Sequence, residues 1–246
     1  MNKKVVLITG SSRGIGAGCA KEFAEAGYNV IIHGNSNMER AQEVASVCRA
    51  LGSEVLIHQA DVSRYDECEK MVQAVLDKYG RIDVLVNNAG VEVSGTISET
   101  TLEKFDQVMK VNTYGPFFMS KLVVPYMMER KSGSIIFMSS TSAQTGASAS
   151  TAYASSKSAL HGLTKTLARD LAPLGINVNA ICPGPIDTDM VANLSEEVKV
   201  WVKNRIFAGR LGSPEEIGAT AVFFASDKAN FITGQIITVD GIFQSL

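Results

Sequence analysis

The sequence predicts an α/β fold: a doubly wound parallel sheet of about seven strands with helices on both faces. Three observations predict it. Short apolar runs alternate with helix-length amphipathic segments along the chain. The apolar runs are nearly continuous, as expected of strands covered on both faces. A glycine-rich turn, Thr9 to Gly16, joins the first run to the first helical segment.

Taken in order, residues 5–9 read as a strand and 14–26 as a helix that closes at Gly27. A strand at 30–33 precedes a helix over about 38–51, closed by Gly52. A third strand, 55–59, leads to a helix over about 66–79, and 84–86 is the fourth strand. One long helix is expected around 102–128, before a fifth strand at 135–139. Another helix covers 151–171, and strands at 178–182 and 236–239 complete the sheet. Ser213-Pro214-Glu215-Glu216 is a capping sequence, and Glu196/Glu197 and Glu215/Glu216 read as helix-start carboxylates. In open sheets of this kind, ligands bind beyond the carboxyl ends of the strands.

Bulk properties bound the function. The 246 residues are 46% hydrophobic and show no linker, so one domain over 1–246 is expected. The net charge is −2 and the cations are scattered, which argues against a nucleic-acid surface. Glu129-Arg130-Lys131 reads as a solvated helix end. No leader pattern opens the chain and no run approaches the ~20 apolar residues of a membrane span, so a soluble, cytoplasmic protein is expected. Cys19, Cys48, Cys68 and Cys182 form no C-x-x-C pair, and His33, His58 and His161 lack ligand spacing, so neither a disulfide nor a metal is expected.

The turn Gly10-Ser11-Ser12-Arg13-Gly14-Ile15-Gly16 suits a dinucleotide. Glycine lets the chain turn sharply and lets a diphosphate approach, and free N–H groups at a helix start attract its charge. Gly14 and Gly16 are the candidates for that approach. The spacing is G-x-x-x-G-x-G, different from G-x-G-x-x-G, and no Gly-Lys-Ser/Thr marks a P-loop. NAD-specific sites carry an acid near the end of the second strand. Here the tip is His33-Gly34-Asn35-Ser36-Asn37, without an acid. A missing carboxylate removes repulsion toward a 2′-phosphate, and Arg13 can pair with one. NADP(H) is therefore favoured over NAD(H), with Asn35 and Ser36 beside the discriminating group.

Further motifs follow at the strand ends. Asp61-Val62 comes after the third strand, Asn87-Asn88-Ala89-Gly90 after the fourth and Ser140 after the fifth. Pro183-Gly184 follows the sixth, Asn112 lies in the long helix, and Tyr153-x-x-x-Lys157 in the next. With the glycine turn, this ordered set resembles the short-chain dehydrogenase/reductase family over essentially the whole chain. The resemblance implies a single Rossmann-like domain and a homo-oligomer, usually a tetramer. It implies that Asp61 and Val62 lie near the adenine, and Asn87, Ala89 and Gly90 near the adenosine ribose. Ile186 and Thr188 would touch the nicotinamide carboxamide and the diphosphate. Asn112 would link Lys157 to solvent through water, although a capping or kink-supporting amide is also possible there.

Tyr153 and Lys157 are four apart in a helix and share a face. A tyrosine ionises near pH ~10, so acid/base work near neutrality needs about three units, or ~4 kcal/mol. A lysine ammonium at about 4 Å with an effective dielectric near ~20 supplies ~4 kcal/mol. The sequence thus predicts a Tyr153 phenol lowered by Lys157. Ser140 would hold the substrate oxygen, with Ser139 and Ser142 as competitors. No Gly-x-Ser-x-Gly elbow marks an acylation nucleophile. The expected reaction interconverts a carbonyl and a secondary alcohol by hydride transfer.

Substrate identity is less legible. The wall should come from Glu92-Val93-Ser94, residues 142–148 and residues 185–207, including Met190, Leu194, Trp201 and Phe207. The subgroup resembled most is the 3-oxoacyl-acyl-carrier-protein reductases, which implies an acyl thioester and an acidic carrier, with Lys131 as a contact near the cleft. Leu174, where those reductases commonly carry a base, and Gly241-Ile242, where Gly-Gly is familiar, depart from that pattern. Sugar, steroid and small-ketone substrates stay open. A non-catalytic dinucleotide sensor is the alternative of a different class, opposed by the complete set Asn112, Ser140, Tyr153 and Lys157.

Overall fold

The computed structural model describes residues 3–36, 38–192 and 195–244. Seven parallel strands form one sheet in the order β3-β2-β1-β4-β5-β6-β7. They are β1 (Val5–Ile8), β2 (Asn29–Gly34), β3 (Val55–Gln59), β4 (Val84–Asn87), β5 (Gly133–Met138), β6 (Ile176–Pro183) and β7 (Ile236–Val239). Leu7 pairs with Ile31 on one side and Leu85 on the other. The strand order reverses at β1/β4, the position at which open sheets of this kind form a ligand crevice beyond their carboxyl ends.

Alternating side chains of each strand serve two cores. On one face Val5 and Leu7 pack with α3 (Tyr65–Tyr79), α5 (Gly115–Arg130) and α7 (Thr151–Leu171) through Met71, Met119, Val123 and Leu160. On the other, Val6 and Ile8 meet α1 (Gly14–Glu25), α2 (Met38–Ala50) and α10 (Pro214–Phe224) through Phe23, Ala45, Ile217 and Phe224. α1 and α10 touch backbone to backbone. A Cβ on Gly18 would lie 2.4 Å from the Pro214 carbonyl carbon, and one on Gly218 would lie 2.8 Å from Gly18 O.

Several expectations need correction. The long helix is divided into α4 (Leu102–Met109), a π turn (Lys110–Tyr114) and α5, which runs on to Arg130. The extra residue of a π turn leaves no mark in hydrophobic periodicity. β6 begins at Ile176 and ends at Pro183, so it is longer at both ends than its apolar stretch. Of the expected solvated helix end, Glu129 and Lys131 are exposed but Arg130 is half-buried: it donates to Ile82 O and faces the buried Asp83 at 3.8 Å. Three short helices, α6 (Ser142–Thr145), α8 (Asp189–Ala192) and α9 (Glu196–Lys203), line the chain after β5 and β6. The caps agree with expectation. Ser213 and Glu216 form both bonds of a capping box, and the Ser195 hydroxyl accepts from Val198 N at the start of α9. All four cysteines are buried and free. No helix among the described residues is long and apolar enough to cross a membrane.

Candidate active site

The glycine turn is held by side chains that mimic backbone. Gly10 N–H donates to His33 Nδ1 (2.8 Å), and His33 Nε2 bonds Ala60 O (2.9 Å). This pattern requires the neutral Nε2–H tautomer. Burial, opposed by the Ala60 bond, pushes the imidazole down to about 4. Asn88 Nδ2 donates to Thr9 O and Gly10 O, and Thr9 Oγ1 accepts from Asn88 N and Ala89 N. The turn is thereby tied to β2, β3 and the end of β4 before any ligand arrives.

Its glycines divide by role. Gly10 and Gly14 have φ of 65° and 53°, the left-handed region. A Cβ on Gly16 would lie 2.3 Å from Gly10 O, so Gly16 is required by packing within the turn itself. Gly14 faces only the Thr188 side chain, at 3.4 Å. Of the two candidates for close approach to a diphosphate, Gly14 alone keeps open space. Arg13 precedes α1 in extended backbone, gives no side-chain cap, and no acid occupies the first turn. The first N–H groups of α1 are left for an anion.

The remaining cofactor-side residues converge on the same crevice. Ser12 Cβ lies 3.6 Å from a Cβ built on Gly34, with Asn35 and Ser36 exposed beyond it. Asn37 lies outside the described residues. Arg40 pairs with Asp189, while Arg13 is exposed and acts on Asp189 at longer range. Asp61 is half-buried and accepts from Ser63 N, and Val62 packs against Gly115. Ile186 is buried, and Thr188 brings the loop after β6 over Gly14. Gly184 is needed against β7: its Cβ would meet Asp240 Cβ at 2.4 Å. Asn87 is 1% exposed; its Nδ2 reaches Ser120 Oγ, but Oδ1 has no hydrogen-bond partner. A buried acceptor of this kind calls for a donor such as a ribose hydroxyl. Open glycine, free helix N–H groups and an unmet acceptor together fit a dinucleotide.

Tyr153, Lys157, Asn112 and Ser140 meet at the other end of the crevice. Lys157 is 4% exposed, donates to Met138 O (2.8 Å), and stands 5.7 Å from the Tyr153 ring centroid. A Cβ on Gly90 would lie 3.2 Å from Lys157 Nζ and 3.4 Å from Asn112 Oδ1, so glycine there lets the loop pack closely over both side chains. Asn112 sits in the π turn. Its amide takes Val91 N–H, gives to Val91 O and gives to Ser156 Oγ, joining the β4 loop to α7. Asn112 thus bridges two other segments from within the π turn, a kind of turn that is often found near functional sites.

The electrostatics reverse one expectation. Tyr153 is pushed up to about 12, by burial first and then by Glu92, against a hydrogen bond from Ser140. Burial pushes Lys157 down to about 8. The predicted lowering of the phenol by Lys157 is absent in the protein alone, because desolvation acts on both charges and the ammonium is tied to Met138 O. The phenol is therefore held protonated.

Ser140 is distinguished from its neighbour by what each touches. Ser139 Oγ is engaged with Lys157 O (3.0 Å) and His161 Nε2 (2.9 Å), and His161 also meets Cys182 Sγ (3.5 Å). Ser140 Oγ accepts only from Ser142 N (3.1 Å) and acts on the Tyr153 phenol.

Comparison with known proteins fixes the family. A model described as enoyl-(acyl carrier protein) reductase matches residues 10–242. The chain is 40% identical over 238 residues to the 3-oxoacyl-[acyl-carrier-protein] reductase FabG of Thermotoga maritima, covering 97% of this chain and 96% of that one. It is 39% identical over 241 residues to the FabG of Staphylococcus epidermidis, covering 98% of each. An uncharacterized oxidoreductase of Thermotoga maritima is 40% identical over 244 residues, covering 97% and 96%. The chain belongs to the short-chain dehydrogenase/reductase family. It is an oxidoreductase of carbonyl and alcohol groups that uses a nicotinamide dinucleotide.

Within this short-chain dehydrogenase/reductase, the expected carrier contact is displaced. Lys131 closes α5 and Leu174 precedes β6, so both lie at the amino ends of β5 and β6, opposite the crevice. A residue just before a parallel strand cannot reach that strand's carboxyl end. Ile242 takes φ 59°, a conformation that suits the glycine familiar at this position, and Asp240 accepts from its N–H. Trp201 is half-exposed with the Arg205 guanidinium 4.1 Å over its ring, and Phe207 is exposed. Leu194 and the Met190 side chain lie outside the described residues. Sequence reasoning missed the structural roles of His33, Asn88, Glu92 and His161. For His33 the available signal was a histidine at a buried strand end facing a glycine turn; the others act through partners distant in sequence. No group of three or more metal-ligating side chains is clustered among the described residues.

Proposed function

We propose that this oxidoreductase is an NADPH-dependent ketoreductase of the 3-oxoacyl type, working as one domain over residues 1–246. The observation that carries it is the meeting of a protonated Tyr153 phenol with Ser140, Lys157 and Asn112 beside the exposed Gly90. Ser140 holds the carbonyl oxygen, Tyr153 gives it a proton, and Lys157 and Asn112 keep the phenol in place and return its proton from solvent. The reduced nicotinamide supplies hydride to the carbonyl carbon.

Gly10, Ser12, Arg13, Gly14, Ile15 and Gly16 form the diphosphate cradle and its supports. Arg13, Asn35 and Ser36 favour a 2′-phosphate. Asp61 and Val62 take the adenine, and Asn87, Ala89 and Gly90 the ribose. Tyr153, Lys157, Pro183, Gly184, Ile186 and Thr188 frame the nicotinamide end. The relatives named as acyl-carrier-protein reductases support an acyl thioester substrate. Exposed Leu102, Tyr114, Phe117 and Phe231 support burial between copies, and the family resemblance makes a homotetramer the reading, with a cytoplasmic location proposed beside it. Acetoacetyl thioesters, sugars, steroids and small ketones offered with NADPH and NADH in parallel test the reading. Oxidation of NADPH by the thioester ahead of the others is expected; a strong NADH preference, or bound cofactor without turnover of any carbonyl, overturns it.

A further inference from the structure

Glu92 stands two residues after Gly90 in a loop that is fixed on both sides. The Asn112 amide clasps Val91 through its N–H and its carbonyl, each at 2.8 Å. Further on, Gly95 N–H donates to Ala149 O (2.7 Å), beside a Gly95–Ser150 bridge. The Glu92 carboxylate itself accepts from Ser150 Oγ at 3.1 Å. Ser150 immediately precedes α7 and lies three residues before Tyr153, so the anion is held over the start of the catalytic helix. It is exposed, and its partner is a hydroxyl; no cation is within ion-pair distance among the described residues. Lys157 is buried behind the site and tied to Met138 O. Glu92 is also the charged group that acts on the Tyr153 phenol.

We propose that Glu92 is a specificity-determining charge filter, which admits 3-oxoacyl compounds as neutral esters or thioesters and turns away free 3-oxo acids. This rests on the ketoreductase reading above. To be reduced, the keto carbon must lie at Tyr153, and C1 of a 3-oxo compound is then only two bonds away. Esterified, C1 brings no charge. As a free acid it brings a second anion into the field of Glu92, which at a few ångströms' separation is still felt although Glu92 is exposed and salt can screen it. A carboxylate only accepts hydrogen bonds, so the two anions cannot bridge without a shared proton.

The test compares ethyl acetoacetate with acetoacetate, which share the reacting ketone, at saturating NADPH. The ratio of their kcat/KM values is measured in the wild type, Glu92→Gln and Ser150→Ala. Both rates come from one preparation, so any loss of folded enzyme cancels. Glu92→Gln should shrink the ester-over-acid ratio about tenfold, chiefly through the KM for acetoacetate. Added salt should shrink the wild-type ratio but leave that of Glu92→Gln unchanged. Ser150→Ala, which keeps the charge, should retain most of the discrimination. A ratio unchanged by Glu92→Gln overturns the filter while the ketoreductase reading stands. Reduction of neither ketone by the wild type overturns both.

Discussion

The two ends of the crevice are built from different chemistry. At the glycine turn, neutral amides, hydroxyls and one neutral imidazole bond to backbone and brace the turn, while the first N–H groups of α1 stay open. At the catalytic end, ionisable groups are buried against their charges: Tyr153 is pushed up to about 12 and Lys157 down to about 8. One end is a finished scaffold for an anion. The other stores an unfavourable electrostatic state that substrate and cofactor are expected to use. Such strained charge is a mark of functional sites, whereas satisfied polar networks mark architecture.

Changes that break this contrast should differ in kind. The largest effect is expected from Tyr153→Phe, which removes the proton donor and leaves the scaffold. Turnover should fall by about 10²–10⁴-fold while NADPH binding, followed by fluorescence titration, persists. Retained hydride transfer would remove Tyr153 from the chemistry.

The scaffold should respond in stability. His33 is 2% exposed and its pKa falls from 6.5 to about 4 on folding. Between those values the unfolded chain binds the extra proton and the folded one does not. Stability present above pH ~6.5 is thus lost as pH falls toward ~4, by up to roughly 3 kcal/mol. Urea unfolding of wild type and His33→Gln across that range checks it; parallel pH curves would refute it. Lys157 offers the counterpart at alkaline pH. Its burial cost is fully present below ~8 and is relieved as pH rises toward ~10.5, so wild-type stability should gain there relative to Lys157→Met.

Smaller effects sharpen the contrast within the turn. Gly16→Ala drives a methyl against Gly10 O and should cost about 1–3 kcal/mol in thermal or urea unfolding. Gly14→Ala meets only a Thr188 side chain but must hold φ near 53°, so it should cost about 1–2 kcal/mol in unfolding and weaken NADPH binding as well. The smallest change is expected for Arg13→Ala, about fivefold in NADPH-over-NADH preference and roughly 1 kcal/mol, because the guanidinium is exposed. An unchanged preference would assign discrimination to Ser12, Asn35 and Ser36.

Much of this was legible in the residues. Apolar runs and caps place the sheet and the helices because burial and helix-end hydrogen bonding are local in sequence. The meeting of Ser140, Tyr153 and Lys157 follows from strand ends and one helical turn. The sign of the Tyr153 shift was not legible: burial is known to oppose the lowering, but its size against the Lys157 attraction is set only by the packing around the phenol. Nor was the place of Lys131, which depends on which edge of the sheet a helix–strand junction occupies. The π turn at Asn112 escaped because one inserted residue scarcely alters an apolar helix pattern.

The glycine contact between α1 and α10 has a consequence for synthesis. These helices cover neighbouring parts of one sheet face, yet some 190 residues of translation separate them. Until Ile217, Ala221 and Phe224 leave the ribosome, the surface of α1 that carries Gly18 has no partner and the chain presents an apolar flank. The cofactor turn is among the earliest segments made, but the helix that braces it is among the last. A nascent chain halted before Pro214 should therefore be a ready client for a chaperone, and productive dinucleotide binding should await release of the segment that begins at Pro214.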